Sequence, residues 1–406
     1  MAAATGCSHD NPTPSPEPPV KGGEFNEFGF TTTAPVTLSV DYGDMAGMPA
    51  NVYFEVYDTC PVEETETAYA KIAGVEPLYA GYTDGQGRFE GTIELPAYIR
   101  KAYVLTPAFY ARTLLEATRS GDMLTASAES GAPANAAPAS TRAKEYHSTA
   151  VERDGWKTWL GSYDTTYGSI GYEYDGDLKV KNYGALLKAH ASVFDTTKKC
   201  PKEYRSSRDL YLEKSAEVVI TLLGSNTCWN SSMGYYYYKT GNKPKSLADA
   251  NVVMIFPNTQ DGRWSNSPWE SRLYQGVERG TAVQLIYYPE IADGSKAGAT
   301  TVFPADYRIG FVLATNAWTN RLRAGDKKYR AATSDGLSVN NNGVAYQTPR
   351  TAVFRYTDKK SGINSVLFSF EDHTNDENFS DVVFTMTSNP VDAVTDIPSV
   401  DVNDGK

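Results

Sequence analysis

The sequence predicts a mainly β protein built from two units. A small N-terminal β-sandwich spans residues 24–116, and a larger jelly-roll-like antiparallel β-sandwich with one or two helices spans residues 146–390. Three observations carry this. Short runs alternate apolar and polar residues, the period of a half-buried strand. Gly, Pro and Asn punctuate those runs at short intervals. Tyrosine dominates the aromatics, 28 against 15 Phe, and the Tyr-, Gly- and Asn-rich pattern is that of extracellular β proteins.

In the first unit, "APVTLSVDYG" and "ANVYFEVYD" alternate cleanly. Asp84 to Gly87 then form a tight turn, because Gly tolerates positive φ, and "RFEGTIEL" and "KAYVLTP" follow as strands. "AFYARTLLEATRSG" reads either as a short helix or as a last strand. Residues 117–145 are rich in Ala, Ser and Pro and read as a linker. Residues 1–23 read as a lipobox remnant followed by a Pro-rich spacer, and residues 391–406 as an acidic tail.

In the second unit, "YGALLKAHASVFDT" carries helical spacing. So does "SRDLYLEKSAEVVITLLG", where Leu212, Ala216, Val219 and Leu223 share one helical face. A run of strands follows, in "MGYYYYKTG", "ADANVVMIFPNT", "TAVQLIYYPE", "DYRIGFVLATNAW", "TAVFRYTD", "NSVLFSFED" and "SDVVFTMTS".

The formal charge of −11 comes without a Lys/Arg cluster, which argues against nucleic acid as a partner. No apolar run approaches the ~18 residues of a transmembrane helix. "ATGC" places small residues ahead of Cys7, as at the end of a bacterial lipobox, although Ala4 stands where Leu is usual. Cys200 and Cys228 flank a helix-like segment and form a candidate disulfide, leaving Cys60 over. The four histidines sit in no motif and read as surface or structural residues.

The stretch "FSFEDHTNDENFSDVVF" crowds Glu371, Asp372, Asp376, Glu377 and Asp381 into one hairpin. Side chains repeat every two residues along a strand, so Asp372 falls on the face of Val366, Phe368 and Phe370. Hard oxygen ligands on a loop suit Ca²⁺, which takes about 6–8 oxygens. A structural Ca²⁺ is therefore one expectation. The other is a hairpin lock in which the carboxylates accept backbone N–H bonds. Further candidate ligand-binding residues are Trp264 and Trp269 in the polar loop "DGRWSNSPWESR", and Tyr236 and Tyr238 in "GYYYY".

The phrase Thr83-Asp84-x-x-Gly87-x-Phe89 resembles the hairpin of transthyretin-like or carboxypeptidase-regulatory-like modules. "IGFVLATNAW", "SVLFSFED" and the signature Asp376-x-x-Phe379-x-Asp381-Val382-Val383-Phe384 resemble a bacterial domain of unknown function found in outer-surface proteins. His373 to Asn375 replace the Gly-rich loop often seen there. The layout as a whole is similar to the N-terminal part of LruC-domain lipoproteins. That resemblance implies a Gram-negative outer-membrane location through a lipid on Cys7 and says little of the biochemical role; the only carboxylate cluster sits in a tight hairpin without a cleft-forming partner, so the expected role is non-enzymatic. Adhesion, binding of a glycan or surface protein, or surface architecture are the expected forms. A glycan-degrading enzyme with a carboxylate pair and a subunit of a pilus-like or surface-layer assembly are the alternatives.

Overall fold

The computed structural model describes residues 33–43, 51–64, 69–108, 111–128, 147–157, 160–165, 168–180, 183–227, 229–260, 276–289, 297–319, 330–334, 336–340, 342–358, 363–372, 376–397 and 401–403. The chain is mainly β, with several antiparallel sheets.

The first unit is a seven-stranded sheet with a separate two-stranded hairpin, Val62–Glu64 and Tyr69–Lys71. The order of the sheet is Tyr79–Tyr82, Tyr53–Tyr57, Lys101–Leu105, Leu114–Ser120, Met123–Ser127, Thr33–Asp41 and Arg88–Pro96. Thr33–Asp41 runs parallel to Met123–Ser127 and antiparallel to Arg88–Pro96. Its alternation buries Val36, Leu38 and Val40 in a shared core. At the expected turn, Asp84 Oδ1 accepts the N–H groups of Gln86 (2.8 Å) and Arg88 (2.9 Å), and Gly87 takes φ +75°. "LLEATRS" is a strand, as one of its two readings expected. The sheet therefore continues to Ser127, past the expected boundary at residue 116, so residues 117–127 are strand and not linker. Ala117 and Ala126 face each other across the last hairpin and are both buried, which joins this stretch to the core. Residues 129–145 lie outside the described residues.

The second unit stacks two sheets. One runs Arg205–Ser206, Thr351–Asp358, Ile363–Phe370, Val382–Asn389, Ala216–Ser225 and Ala282–Gln284. The other runs Val253–Phe256, Ser232–Lys239, Tyr307–Ala314, Leu210–Leu212 and Val394–Thr395. Between them lies a core that includes Val218, Ile220, Leu222, Ile309, Phe311, Leu313, Val366, Phe368, Phe370 and Phe384.

The segment expected to be a second helix is instead the strands Leu210–Leu212 and Ala216–Ser225. Val218, Ile220 and Leu222 face the inter-sheet core, while Leu223 joins the core on the outer face. A strand covered on both sides loses its polar alternation and reads as a continuous apolar run. The β-branched run Val218-Val219-Ile220-Thr221 favours that outcome.

"YGALLKAHASV" is a helix, Tyr183–Val193. It packs on the outer face of the larger sheet, where Leu186, Leu187 and Phe194 share a core with Phe354, Leu367 and Val383. That core is continuous with the first unit, and the Thr196 N–H donates to the Pro107 carbonyl at 3.3 Å. His190 is buried in this layer with Nε2 2.8 Å from Ser369 Oγ, a structural position. Part of the expected acidic tail is also folded. Val394–Thr395 pairs with Leu212 and Tyr211, and Asp401–Asn403 pairs in parallel with residues 355–357.

Candidate functional site

The strands Ile363–Phe370 and Val382–Asn389 pair from Val366↔Met386 to Phe370↔Val382. Glu371 and Asp372 therefore leave the sheet directly beside Asp381. All three are nearly inaccessible, at 1–3% exposure. Asp381 Oδ2 accepts the Asp372 N–H at 2.6 Å, the hairpin lock anticipated from the sequence. Glu371 Oε2 accepts the Phe379 N–H at 3.2 Å. Asp376 accepts from the Asn378 backbone at 3.3 Å and from its side-chain amide at 3.0 Å.

Residues distant in sequence complete the enclosure. The Thr227 hydroxyl donates to Asp372 Oδ2, the Thr315 hydroxyl donates to the Asp372 carbonyl at 2.8 Å, and the Asn226 N–H reaches the Asp381 carbonyl at 3.0 Å. Arg350 is buried over the Tyr346 ring (4.5 Å) with a guanidinium nitrogen 3.6 Å from Glu371 Oε1.

Glu377 departs from the group. It points toward Lys199 (3.3 Å) and Arg205 (3.1 Å). Burial alone would raise its carboxyl, but those two cations hold it below the usual range. The Cys200 N–H donates to the Glu377 carbonyl at 2.7 Å, and Arg205 lies over the Phe379 ring, so the loop is clamped to the Cys200–Arg205 segment. Glu377 and Phe379 both take positive φ, 51° and 58°. Non-glycine residues hold that conformation only where the surroundings impose it.

The remaining four carboxyls share one desolvated volume. Burial, reinforced by the neighbouring carboxylates, pushes Glu371 and Asp381 well above the ordinary range; Arg350 pulls Glu371 partly back. Burial also raises Asp372, to about 6, against the pull of the Thr227 hydroxyl. Asp376 is raised by burial despite its hydrogen bonds. An uncompensated buried charge is very costly, so this pocket favours protons or a cation. Its hard-oxygen chemistry fits Ca²⁺. However, among the described residues no three His, Cys, Asp or Glu side chains close around a common point as metal ligands.

Tyr236 is fully buried, so it belongs to the core and is not available as a ligand-binding residue. Gly310 lies opposite it on the neighbouring strand and lets the ring lie flat over bare backbone. The Tyr236 hydroxyl, with those of Tyr238 and Thr333, donates to buried Asp209. A Cβ on Gly310 would stand 2.2–2.4 Å from the Tyr236 ring. Gly310→Ala is therefore expected to destabilise by about 1–3 kcal/mol or more through overpacking, read as a lower urea midpoint. Tyr238 is half-buried, its ring stacked on Tyr236 at 6.4 Å and 10°. Cys200 is buried with Sγ 3.3 Å from the Pro201 carbonyl. Its expected partner Cys228 lies outside the described residues, as do Cys7, Trp264 and Trp269.

Thr227, Thr315, Arg350 and Asp209 were not singled out from the sequence. Only the fold brings them to their carboxylate partners, and none sits in a local motif. No curated protein and no solved structure matches the chain. Residues 34–128 match the model of a domain of unknown function, DUF8469, which agrees with a first sheet ending at Ser127. Residues 303–389 match that of a second domain of unknown function, DUF4114, and this match contains the whole carboxylate hairpin and both of its strands.

Proposed function

We propose that this is a non-enzymatic cell-surface protein, lipid-anchored through Cys7, that binds a glycan or protein partner and whose hairpin carboxylates take up Ca²⁺. One observation carries the cation part: four carboxyls in a single buried volume with Arg350 as the cation beside them. Extracellular Ca²⁺ at millimolar level occupies sites of modest affinity, ~10⁻⁴–10⁻³ M. Asp372, Asp376 and Asp381 would hold the ion, with Glu371 beside Arg350. Binding requires these side chains to turn toward one another. Burial supports a binding role over catalysis, since a glycosidase pair must reach its substrate and Glu371, Asp372 and Asp381 are 1–3% exposed.

A second reading has the carboxyls protonated and hydrogen-bonded as a pure lock. It is favoured by the Asp372 N–H to Asp381 bond and by the lack of a closed ligand shell among the described residues. Melting curves separate the two. The folded-state pKa values are raised above those of the unfolded chain, so the stability they contribute is complete below about pH 4 and is lost as pH rises through the folded values. For Asp372 that loss is centred near 6. In EDTA the wild type is therefore expected to lose stability between pH 5 and 8 relative to an Asp372→Asn/Asp381→Asn variant. Millimolar Ca²⁺ should remove that loss at pH 7–8 and leave the variant unmoved. A wild-type profile unaffected by Ca²⁺ leaves the lock reading alone.

A further inference from the structure

The loop of the carboxylate hairpin reaches beyond its own sheet. The Asn378 side-chain amide donates both to Asp376 Oδ2 and to the Thr196 carbonyl, each at 3.0 Å. Thr196 in turn donates its N–H and its hydroxyl to the Pro107 carbonyl of the first unit, each at 3.3 Å. Two residues thus link Asp376 to the first unit. From this chain of contacts we propose that the hairpin is a latch, and that its uptake of a divalent cation stiffens the joint between the two units. The inference rests on the cation half of the reading above and extends it to a second place in the molecule.

The latch has two further arms. One is apolar. Phe379 is 1% exposed and belongs to the core that holds Phe194 and, from the first unit, Ala108 and Ala111. Its N–H donates to Glu371 Oε2 at 3.2 Å. The other arm is ionic and joins Glu377 to Lys199 and Arg205, in the segment that follows Thr196. All three arms leave a loop in which Glu377 and Phe379 are held at positive φ. Such a conformation persists only while its surroundings impose it. Here the bonds to Glu371 and Asp376 are part of what imposes it.

Those carboxylates keep their places only if their charge is offset, because an uncompensated buried charge is very costly. Ionised together, they repel one another, and turning out toward water would break the bonds to Asn378 and Phe379. A divalent cation removes that drive. An ionised carboxyl has about four lone-pair sites, so Asp376 and Glu371 can keep these bonds while the cation is held. Coupling between distant places needs a contiguous set of packed and hydrogen-bonded groups with two arrangements. The two arrangements are the loop fixed by its carboxylates and the loop released from them.

The test is hydrogen–deuterium exchange of the full chain, read by mass spectrometry near neutral pH in EDTA and in millimolar Ca²⁺. Residues 371–381 report the hairpin, 194–205 the segment it grips, and 105–113 the first unit's side of the joint. Ca²⁺ is expected to slow exchange in all three, by roughly tenfold in the last two, the equivalent of about 1.4 kcal/mol. A Thr196→Val/Glu377→Gln variant keeps side-chain volume and every proposed ion ligand, so it should fold. In it Ca²⁺ should still slow 371–381 but transmit less of the effect to 105–113. Slowing confined to 371–381 in the wild type, or a variant that transmits the effect undiminished, overturns the latch and leaves the cation reading standing. No slowing at 371–381 fails the cation reading and the latch with it.

Discussion

Phe384→Ala is expected to remove roughly 3–5 kcal/mol of stability, the range for truncating a buried aromatic. Phe384 sits on the central strand Val382–Asn389 with no exposed surface. Its ring stacks on Phe368 at 5.0 Å and 7°, meets Phe311 edge-on at 5.1 Å and stacks on Phe370 at 5.8 Å. Phe311 belongs to the opposite sheet, so the ring joins both layers of the sandwich. Truncation leaves a cavity between them that a close-packed core closes only partly. The measurement is urea unfolding, with a lower midpoint at unchanged slope. Val391→Ala serves as the control. Val391 is 49% exposed and its substitution should stay within about 0.5 kcal/mol. Equal effects at the two positions would mean that this core does not hold the two sheets together.

The parts of the fold that could be read in advance share one physical property, a face exposed to water. Thr33–Asp41 alternates because only one side is covered, and Tyr183–Val193 shows its helical stripe because the other side is open. Ala216–Ser225 reads as a helix in the sequence because both faces of the strand are buried and its period is erased. The sequence puts the end of the first unit too early, at residue 116, because Ala117 and Ala126 are small residues in a Ser- and Thr-rich context, and such composition reads as linker.

The candidate site divides in the same way. The carboxylates were legible because five lie within one hairpin, and the strand period placed Asp372 on the inner face. That Glu377 turns away was not legible, because Lys199 and Arg205 approach it from across the fold. Nor was Thr227, 145 residues from Asp372 in sequence. Tyr236 looked like its neighbours in "GYYYY". Its burial follows from Gly310 on the next strand, a pairing that only the register supplies.

Arg350→Met tests what holds the carboxylate site together, and a loss of roughly 3–5 kcal/mol near neutral pH is expected. The Arg350 side chain is 6% exposed, and its guanidinium lies over Tyr346 and faces Glu371, itself 1% exposed. Met keeps much of the apolar stem packing and removes the charge, so the loss reports electrostatics more than volume. Without Arg350, Glu371 can stay buried only by holding a proton. Its folded-state pKa then rises further, and the defect should be largest at high pH and shrink on acidification. Adding Glu371→Gln to the variant should recover part of the loss, because the amide oxygen can still accept the Phe379 N–H while the orphaned charge is gone. A purely steric role for Arg350 predicts no such rescue and no pH dependence. Ca²⁺ supplies the last discrimination. If the carboxylates take up the ion, Arg350→Met removes a competing positive charge, and millimolar Ca²⁺ should stabilise the variant more than the wild type. If they act only as a proton-dependent lock, Ca²⁺ should stabilise neither, and only acid should restore the variant.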